Sequence, residues 1–196
     1  MIDPNGPIRP FYDGWQDYNA RLIEAIQGLS DEQLKLRAGP DHWPIWALAG
    51  HTAGTRVYWL CGVFGEPGAE TTPFDDYLNG MGWEDDEATP RRADELVGAL
   101  TSTWALVASC LERWTPETLG VTATVQLASG PRIHTRQSVI MRMISHDAYH
   151  CGEISQILGT HGLGEINLWS RRPARARLSA MERETRFELA TFSLEG

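Results

Sequence analysis

Two histidines and two acids lie close together near the end of a long apolar stretch. His146 and His150 are four residues apart, with Asp147 between them and Glu153 three residues beyond His150. The surrounding apolar residues recur at intervals of three and four, which predicts a helix over residues 135–159. Because positions four apart on a helix share one face about one turn apart, the two imidazoles can hold one cation.

A third histidine, His51, lies in another apolar stretch, predicted to be a buried helix over residues 45–64. Taken singly, His51 would be interpreted as a core residue hydrogen-bonded to a carbonyl group. Three neutral imidazoles from two helices, however, make a three-ligand site with one open position, which is typical of catalytic and not of structural zinc sites. We therefore predict that His51, His146 and His150 bind one metal ion.

The two acids have different predicted surroundings. Glu153 lies near the line of the two histidines, where it can orient a histidine or move a proton. Asp147 is rotated by about 100° from His146, toward the apolar face of the helix. A carboxylate there needs a partner. The same catalytic roles are open to Asp147, and the alternatives are a helix-surface acid for Glu153 and a buried hydrogen-bonding partner for Asp147.

The remaining patterns predict the elements that must position these side chains. Ser30 begins a capping box with Gln33, and Thr135 is a candidate cap for the last helix. Alternating residues around a Ser-Gly-Pro turn predict a small β-hairpin before that helix. The predicted long helices cover residues 9–29, 45–64, 90–114 and 135–159. An antiparallel all-α bundle follows, and bundles commonly hold metals between facing helices.

The chain is predicted to form a single domain over residues 1–196, with a core over about 9–163 and an irregular C-terminal extension over 170–196. Residues 65–90 form a long stretch rich in Gly, Pro and acids, with Phe74, Tyr77 and Trp83 interleaved. Loops of this length are usually functional or disordered. Its aromatics favour packing over the mouth of the site or against a second subunit, and a solvated insertion is the alternative.

Composition excludes several classes of function. The net charge is −9, which argues against a nucleic-acid binder or a polybasic membrane protein. No apolar stretch is long enough to span a membrane, and no secretory signal pattern is present. The three cysteines are odd in number and lie within helical patterns, as expected of core residues in a reducing cytosol. A cytoplasmic location is expected.

Two other metal chemistries are weaker interpretations. A di-iron carboxylate site needs Glu-x-x-His on two helices, and the first and third predicted helices supply no such motif. His146-Asp147-x-x-His150 also resembles the His-Glu-x-x-His motif of zinc peptidases. Those enzymes normally carry their third ligand downstream and a sheet before the motif helix, whereas here His51 lies upstream and strands are few.

The motifs together resemble the DinB/YfiT-like superfamily. The resemblance is carried by His51 in the segment Trp-Ala-Leu-Ala-Gly-His and by the segment from Ser145 to Ile154, and it extends from the first helix through about Leu163. It implies a four-helix bundle with up-down-down-up connectivity. It also implies one divalent metal, zinc or nickel, bound by His51, His146 and His150. The 65–90 loop and the C-terminal extension match this family less well.

The resemblance further implies a class of activity. Relatives include S-transferases and isomerases that use low-molecular-weight thiols, mycothiol or bacillithiol, and some metal-dependent hydrolases. The expected function is thus a metal-dependent enzyme acting on a small-molecule substrate, with thiol transfer ahead of hydrolysis and a thiol as the expected co-substrate. The alternative is a non-catalytic, metal-stabilised bundle that serves as a stress-linked binding or dimerisation module. A homodimer is one expected assembly.

Overall fold

The structure, a computed structural model, describes residues 5–76 and 82–169. Within those ranges the chain is mostly helical with one two-stranded sheet, as predicted. The helices are α1 (Trp15–Ile26), α2 (Asp31–Leu34), α3 (Ile45–Val57), α4 (Ala93–Arg113) and α5 (Arg136–Thr160). The antiparallel strands are β1 (Thr122–Leu127) and β2 (Gly130–Thr135). The C-terminal extension over 170–196 lies outside the described residues.

The helix ends follow local capping chemistry. Ser30 and Gln33 form the predicted capping box at α2, and Thr135 caps α5 by accepting a hydrogen bond from the Ser138 amide. The prediction for α4 was three residues too early. That helix begins at Ala93, because the Glu95 carboxylate accepts a hydrogen bond from the backbone amide of Arg92, the residue before the helix.

Two predicted helices are divided in the structure. The first becomes a 3-10 turn (Arg9–Tyr12) followed by α1, with Gly14 between them. The second continues beyond α3 as a π-helical segment, Tyr58–Val63. Such π-helical turns are often found at functional sites, and this one contributes Tyr58 and Trp59 to a cavity described below.

Helix α3 packs against α4 and α5, and α1 packs against the same two helices. Their apolar side chains form two buried clusters. One cluster contains Leu22, Ala53, Leu100 and Cys151, and the other contains Trp15, Val57, Val107 and Met143.

Each of these four helices carries a buried polar residue between its residues of one cluster and its residues of the other. Together these polar side chains form a layer. It consists of one residue each from α1, α3, α4 and α5: Asn19, Arg56, Thr103 and Asp147. Arg56 donates hydrogen bonds to Asn19, at 2.7 Å, and to Asp147, at 2.8 Å. Because buried polar groups need partners, this polar layer favours one alignment of the helices over others.

The segment between α3 and α4 packs back on the body, which confirms part of the prediction for this loop. Phe74 and Trp83 are in contact, with ring centroids 4.8 Å apart, and both lie against α3. An added Cβ at Gly50 would lie 3.2 Å from Trp83, and one at Gly54 would lie 3.3 Å from Phe74. The two glycines, one turn apart, therefore make the flat surface on which this segment rests. Tyr77 lies outside the described residues.

Candidate metal centre

The three predicted histidines converge. His51 projects from α3, while His146 and His150 project from successive turns of α5. His146 Nε2 lies 2.9 Å from His51 Nε2 and 3.1 Å from His150 Nε2. Of the described histidines, cysteines and acids, these three form the group whose ligand atoms could hold a metal ion, all within 4.8 Å of one another. The structure thus brings together side chains that are 95 residues apart in sequence.

Carboxylates fix the orientation of two of the rings. His51 Nδ1 lies 2.5 Å from Glu84 Oε1, and His150 Nδ1 lies 2.6 Å from Glu153 Oε2. Since an ionised carboxylate only accepts hydrogen bonds, each Nδ1 carries the proton. The Nε2 atoms of His51 and His150 then present lone pairs toward His146. Carboxylate support of this kind is common behind metal-binding histidines.

Hydrogen bonds among the rings cannot account for both short contacts of His146 Nε2. A proton on His146 Nε2 could be donated to His51 or to His150, but not fully to both, because a ring N–H is one donor. The other nitrogen of this ring, His146 Nδ1, is buried without a partner among the described residues. A tetrahedral zinc ion with Zn–N bonds of about 2.0–2.1 Å sets its nitrogen ligands about 3.3 Å apart. The two spacings from His146, 2.9 and 3.1 Å, are close to that value, and all three ligand atoms lie within 4.8 Å of one another, so the three donors fit one metal ion.

The surroundings favour the neutral form of the two histidines on α5. Burial is the largest cause that lowers the pKa of His146, and together with the neighbouring His150, His51, Arg142 and Arg56 it brings the pKa to about 3. Burial also lowers the pKa of His150, against the opposing effect of Glu153. Metal binding requires unprotonated imidazole. Protons therefore do not compete for His146 near pH 7.

The structure separates the two predicted acids. Glu153 contacts His150, in the position expected of a residue that orients a ligand. Asp147 lies in the polar layer, where Oδ2 accepts hydrogen bonds from Arg56 and from Trp15, each at 2.8 Å. These contacts match the alternative interpretation of Asp147 as a buried hydrogen-bonding partner. Its catalytic role, like that of Glu153, stays a prediction.

Two cavities border the histidines. One has a volume of about 480 Å³ and includes His51 and His146 in its walls. Its other walls come from the π-helical segment, the loop after it, the hairpin and α5, including Tyr58, Trp59, Phe74, Trp83, Arg132, His134 and Arg142. The second cavity, of about 790 Å³, is lined by His150, Glu153, Trp43 and Tyr149 among others. Small molecules can therefore approach the three histidines from two sides, one beside His51 and His146 and the other beside His150.

Glu84 was not predicted from the sequence to contact a histidine. It belongs to an acidic run in the 65–90 loop, where no periodicity indicates which acid faces inward. The available signal was the pair of glycines on α3, Gly50 and Gly54, since small residues four apart on a helix permit the close approach of another segment. That approach brings Trp83, and with it Glu84, to His51.

The other three histidines and Cys151 are not part of this group. His134 borders the smaller cavity and His42 the larger one. His161 Nδ1 contacts the Ile157 carbonyl oxygen at 2.9 Å. Cys151 is buried in the apolar cluster near Leu22, which confirms its interpretation as a core residue, and burial raises its pKa to about 12.

Comparison with known proteins agrees with the resemblance seen in the sequence. The DinB superfamily model matches residues 16–154, more than half of the chain. A DinB-like protein from Bacillus cereus ATCC 10987 has a similar fold, with a TM-score of 0.58 and 20% sequence identity. The alignment covers 86% of this chain and 99% of that one. No curated protein matches the sequence. No helix in the described ranges is long and apolar enough to cross a membrane.

Proposed function

Since the chain belongs to the DinB superfamily, we propose that it is a metal-dependent enzyme acting on small molecules. One observation carries the proposal: the Nε2 atoms of His51 and His150 lie 2.9 and 3.1 Å from His146 Nε2, beside a cavity of about 480 Å³. His51, His146 and His150 would hold one zinc or nickel ion. The proposal includes the finer fold expected from the resemblance, a four-helix bundle with up-down-down-up connectivity.

A divalent metal in this position would lower the pKa of a thiol or water bound to it and so supply a nucleophile near neutral pH. The residues of the chain would do the rest. Glu84 and Glu153 hold the rings of His51 and His150 with Nε2 unprotonated. Glu153 is one-third exposed at its side chain, which leaves it able to exchange a proton with solvent.

Thiol transfer is proposed ahead of hydrolysis. A transferase must admit two reactants to one centre, and the ligands here border two cavities, one beside His51 and His146 and one beside His150. Hydrolysis would need only one cavity for an organic substrate. A purely structural metal site normally has a fourth protein ligand, and no fourth histidine, cysteine or acid of the described residues joins the three.

The first experiment is elemental analysis of the purified protein beside the variants His51→Ala, His146→Ala and His150→Ala. His161→Ala, which changes a histidine outside the three, is the matched control. The expected result is one metal per chain in the parent and in the control, with loss of metal in each of the other variants. Metal retained without His51, or none bound after incubation with zinc and nickel, would reject the three-histidine site.

Activity is tested next, with the metal-loaded protein and the same protein after chelation. Transfer of a low-molecular-weight thiol to an electrophilic acceptor should depend on the metal and saturate with both reactants. A loaded protein whose metal exchanges no ligand with solvent and turns over neither thiol-transfer nor ester substrates would favour the non-catalytic module.

A further inference from the structure

A basic cluster forms one wall of the smaller cavity. Arg132 and His134 are two residues apart on β2, so their side chains project from the same face of the hairpin. The Arg142 guanidinium lies 5.1 Å from the centre of the Trp59 ring, and the His134 ring lies 4.9 Å from the same ring. All four side chains line the cavity that also contains His51 and His146.

The two arginines of this cluster differ from most other arginines of the described residues. Over residues 5–76 and 82–169, neither Arg132 nor Arg142 forms an ion pair with a carboxylate. Ion pairs with carboxylates are formed by Arg9, Arg37, Arg56, Arg91, Arg92, Arg113 and Arg136, among others. Acids of the cavity wall, Asp75, Asp76 and Glu84, come from the loop before α4 and not from the hairpin or α5. Two positive charges on one cavity wall are thus available to a ligand.

The basic cluster lies about one helical turn from the histidines. Arg142 and His146 are four residues apart on α5, hence on one face and about 6 Å apart along the helix axis. The cavity also presents aromatic rings, among them Trp59 and Phe74. A volume of about 480 Å³ is within the usual range for small-molecule sites.

We propose that this cavity selects a small organic anion, a carboxylate or phosphate ester with an apolar body. Arg132 and Arg142 would bind its acidic group, and its reacting end would lie at the three histidines, about one helical turn away. Arginine suits this task because its planar guanidinium donates paired hydrogen bonds to carboxylate and phosphate oxygens. This inference rests on the proposed function and names the substrate class of the same site.

Calorimetric titration tests the inference with the metal-loaded protein and three probes of similar shape: 3-phenylpropionate, phenyl phosphate and the neutral 3-phenylpropanamide. Both anions, or one of them, should bind at least about tenfold more tightly than the amide. The tighter anion identifies the acidic group. Arg132→Gln and Arg142→Gln should each lower the affinity for the anion, relative to the amide, about tenfold. Arg92→Gln, which changes an exposed arginine paired with Asp94, should leave it unchanged.

Equal binding of the amide and the anions would overturn the inference, and so would unchanged binding in both cavity variants. Repeating the titrations after chelation separates this result from the metal proposal. Anion binding that disappears on chelation but survives both arginine substitutions would place the anion on the metal, which also overturns the inference. Arginine-dependent binding by a protein that holds no metal would support the anion site while the proposed metal function fails.

Discussion

Arg56 and Asp147 form a buried ion pair, with Nη2 2.8 Å from Oδ2 and both side chains no more than 2% exposed. The pair joins α3 to α5 at positions close to the proposed ligands. Arg56 lies five residues after His51, and Asp147 directly follows His146. A shift of one helix against the other would therefore break the ion pair and separate the imidazoles together. The polar layer positions the candidate metal centre.

The first prediction concerns the charge of Asp147. In Asp147→Asn, the Arg56 guanidinium would remain buried without its counter-ion, because the polar layer offers it only neutral partners. Loss of one member of a buried pair typically lowers the free energy of unfolding by about 3–5 kcal/mol. Urea denaturation of the metal-free protein measures this change. The exposed pair between Arg92 and Asp94 supplies the control, Asp94→Asn, with an expected change below about 1 kcal/mol.

The same variant tests the catalytic interpretation of Asp147. At a temperature where Asp147→Asn is folded, it should still bind one metal per chain, since Asp147 does not contact the three histidines through any hydrogen bond described for it. Full stability combined with lost turnover would contradict the structural role and restore the catalytic one.

The second prediction concerns the carboxylates behind the histidines. Glu84→Gln and Glu153→Gln keep the shape of each side chain but remove the charge that holds the Nδ1 proton of His51 or His150. Each should weaken metal binding by about 10–100-fold, the usual effect of removing such a partner. Competition with a chromophoric chelator measures the affinity. Glu87→Gln is a control from the same acidic run, because Glu87 pairs with Arg37 and not with a histidine.

An undiminished affinity in Glu84→Gln would show that the 2.5 Å contact with His51 does not support metal binding. If metal affinity fell only in Glu153→Gln, the carboxylate that supports metal binding would be the one on α5, and the loop would have no role in the metal site.

The differences between sequence and structure have a physical origin. His146 and His150 could be paired from sequence because the helical repeat alone fixes their relative direction. The same repeat indicated that Asp147 needs a buried partner, but not which one, since Arg56 lies on another helix and its contact depends on how the two helices pack. Glu84 could not be identified, because an aperiodic loop gives no facing direction until Trp83 is packed on α3.

The third prediction concerns the glycine surface of α3. In Gly50→Ala, the new methyl group would lie 3.2 Å from two atoms of Trp83, so that ring must shift and move Glu84 with it. Overpacking typically costs about 1–3 kcal/mol, partly offset by the gain of about 1 kcal/mol for alanine over glycine in a helix. Metal affinity should fall as well, which chelator competition detects.

Gly98→Ala is the matched control for that experiment. Gly98 is an exposed helical glycine on α4, and a Cβ there meets no atom within 4 Å. This variant should gain about 1 kcal/mol of stability and keep its metal affinity. Equal gains in stability for the two variants would show that Trp83 does not rest on Gly50.

The last prediction concerns the three cysteines. Burial raises the pKa of Cys110 and of Cys151 to about 12 and also raises the pKa of Cys61. Because the thiolate is the nucleophile, fewer than about one in a thousand Cys110 and Cys151 thiols is reactive at pH 8. The folded protein should therefore react very slowly with Ellman's reagent at this pH, and all three thiols should react after unfolding in guanidinium. Ser129→Cys, in the exposed turn of the hairpin, should add one fast thiol. A fast thiol in the parent protein would contradict the assignment of all three cysteines to the core.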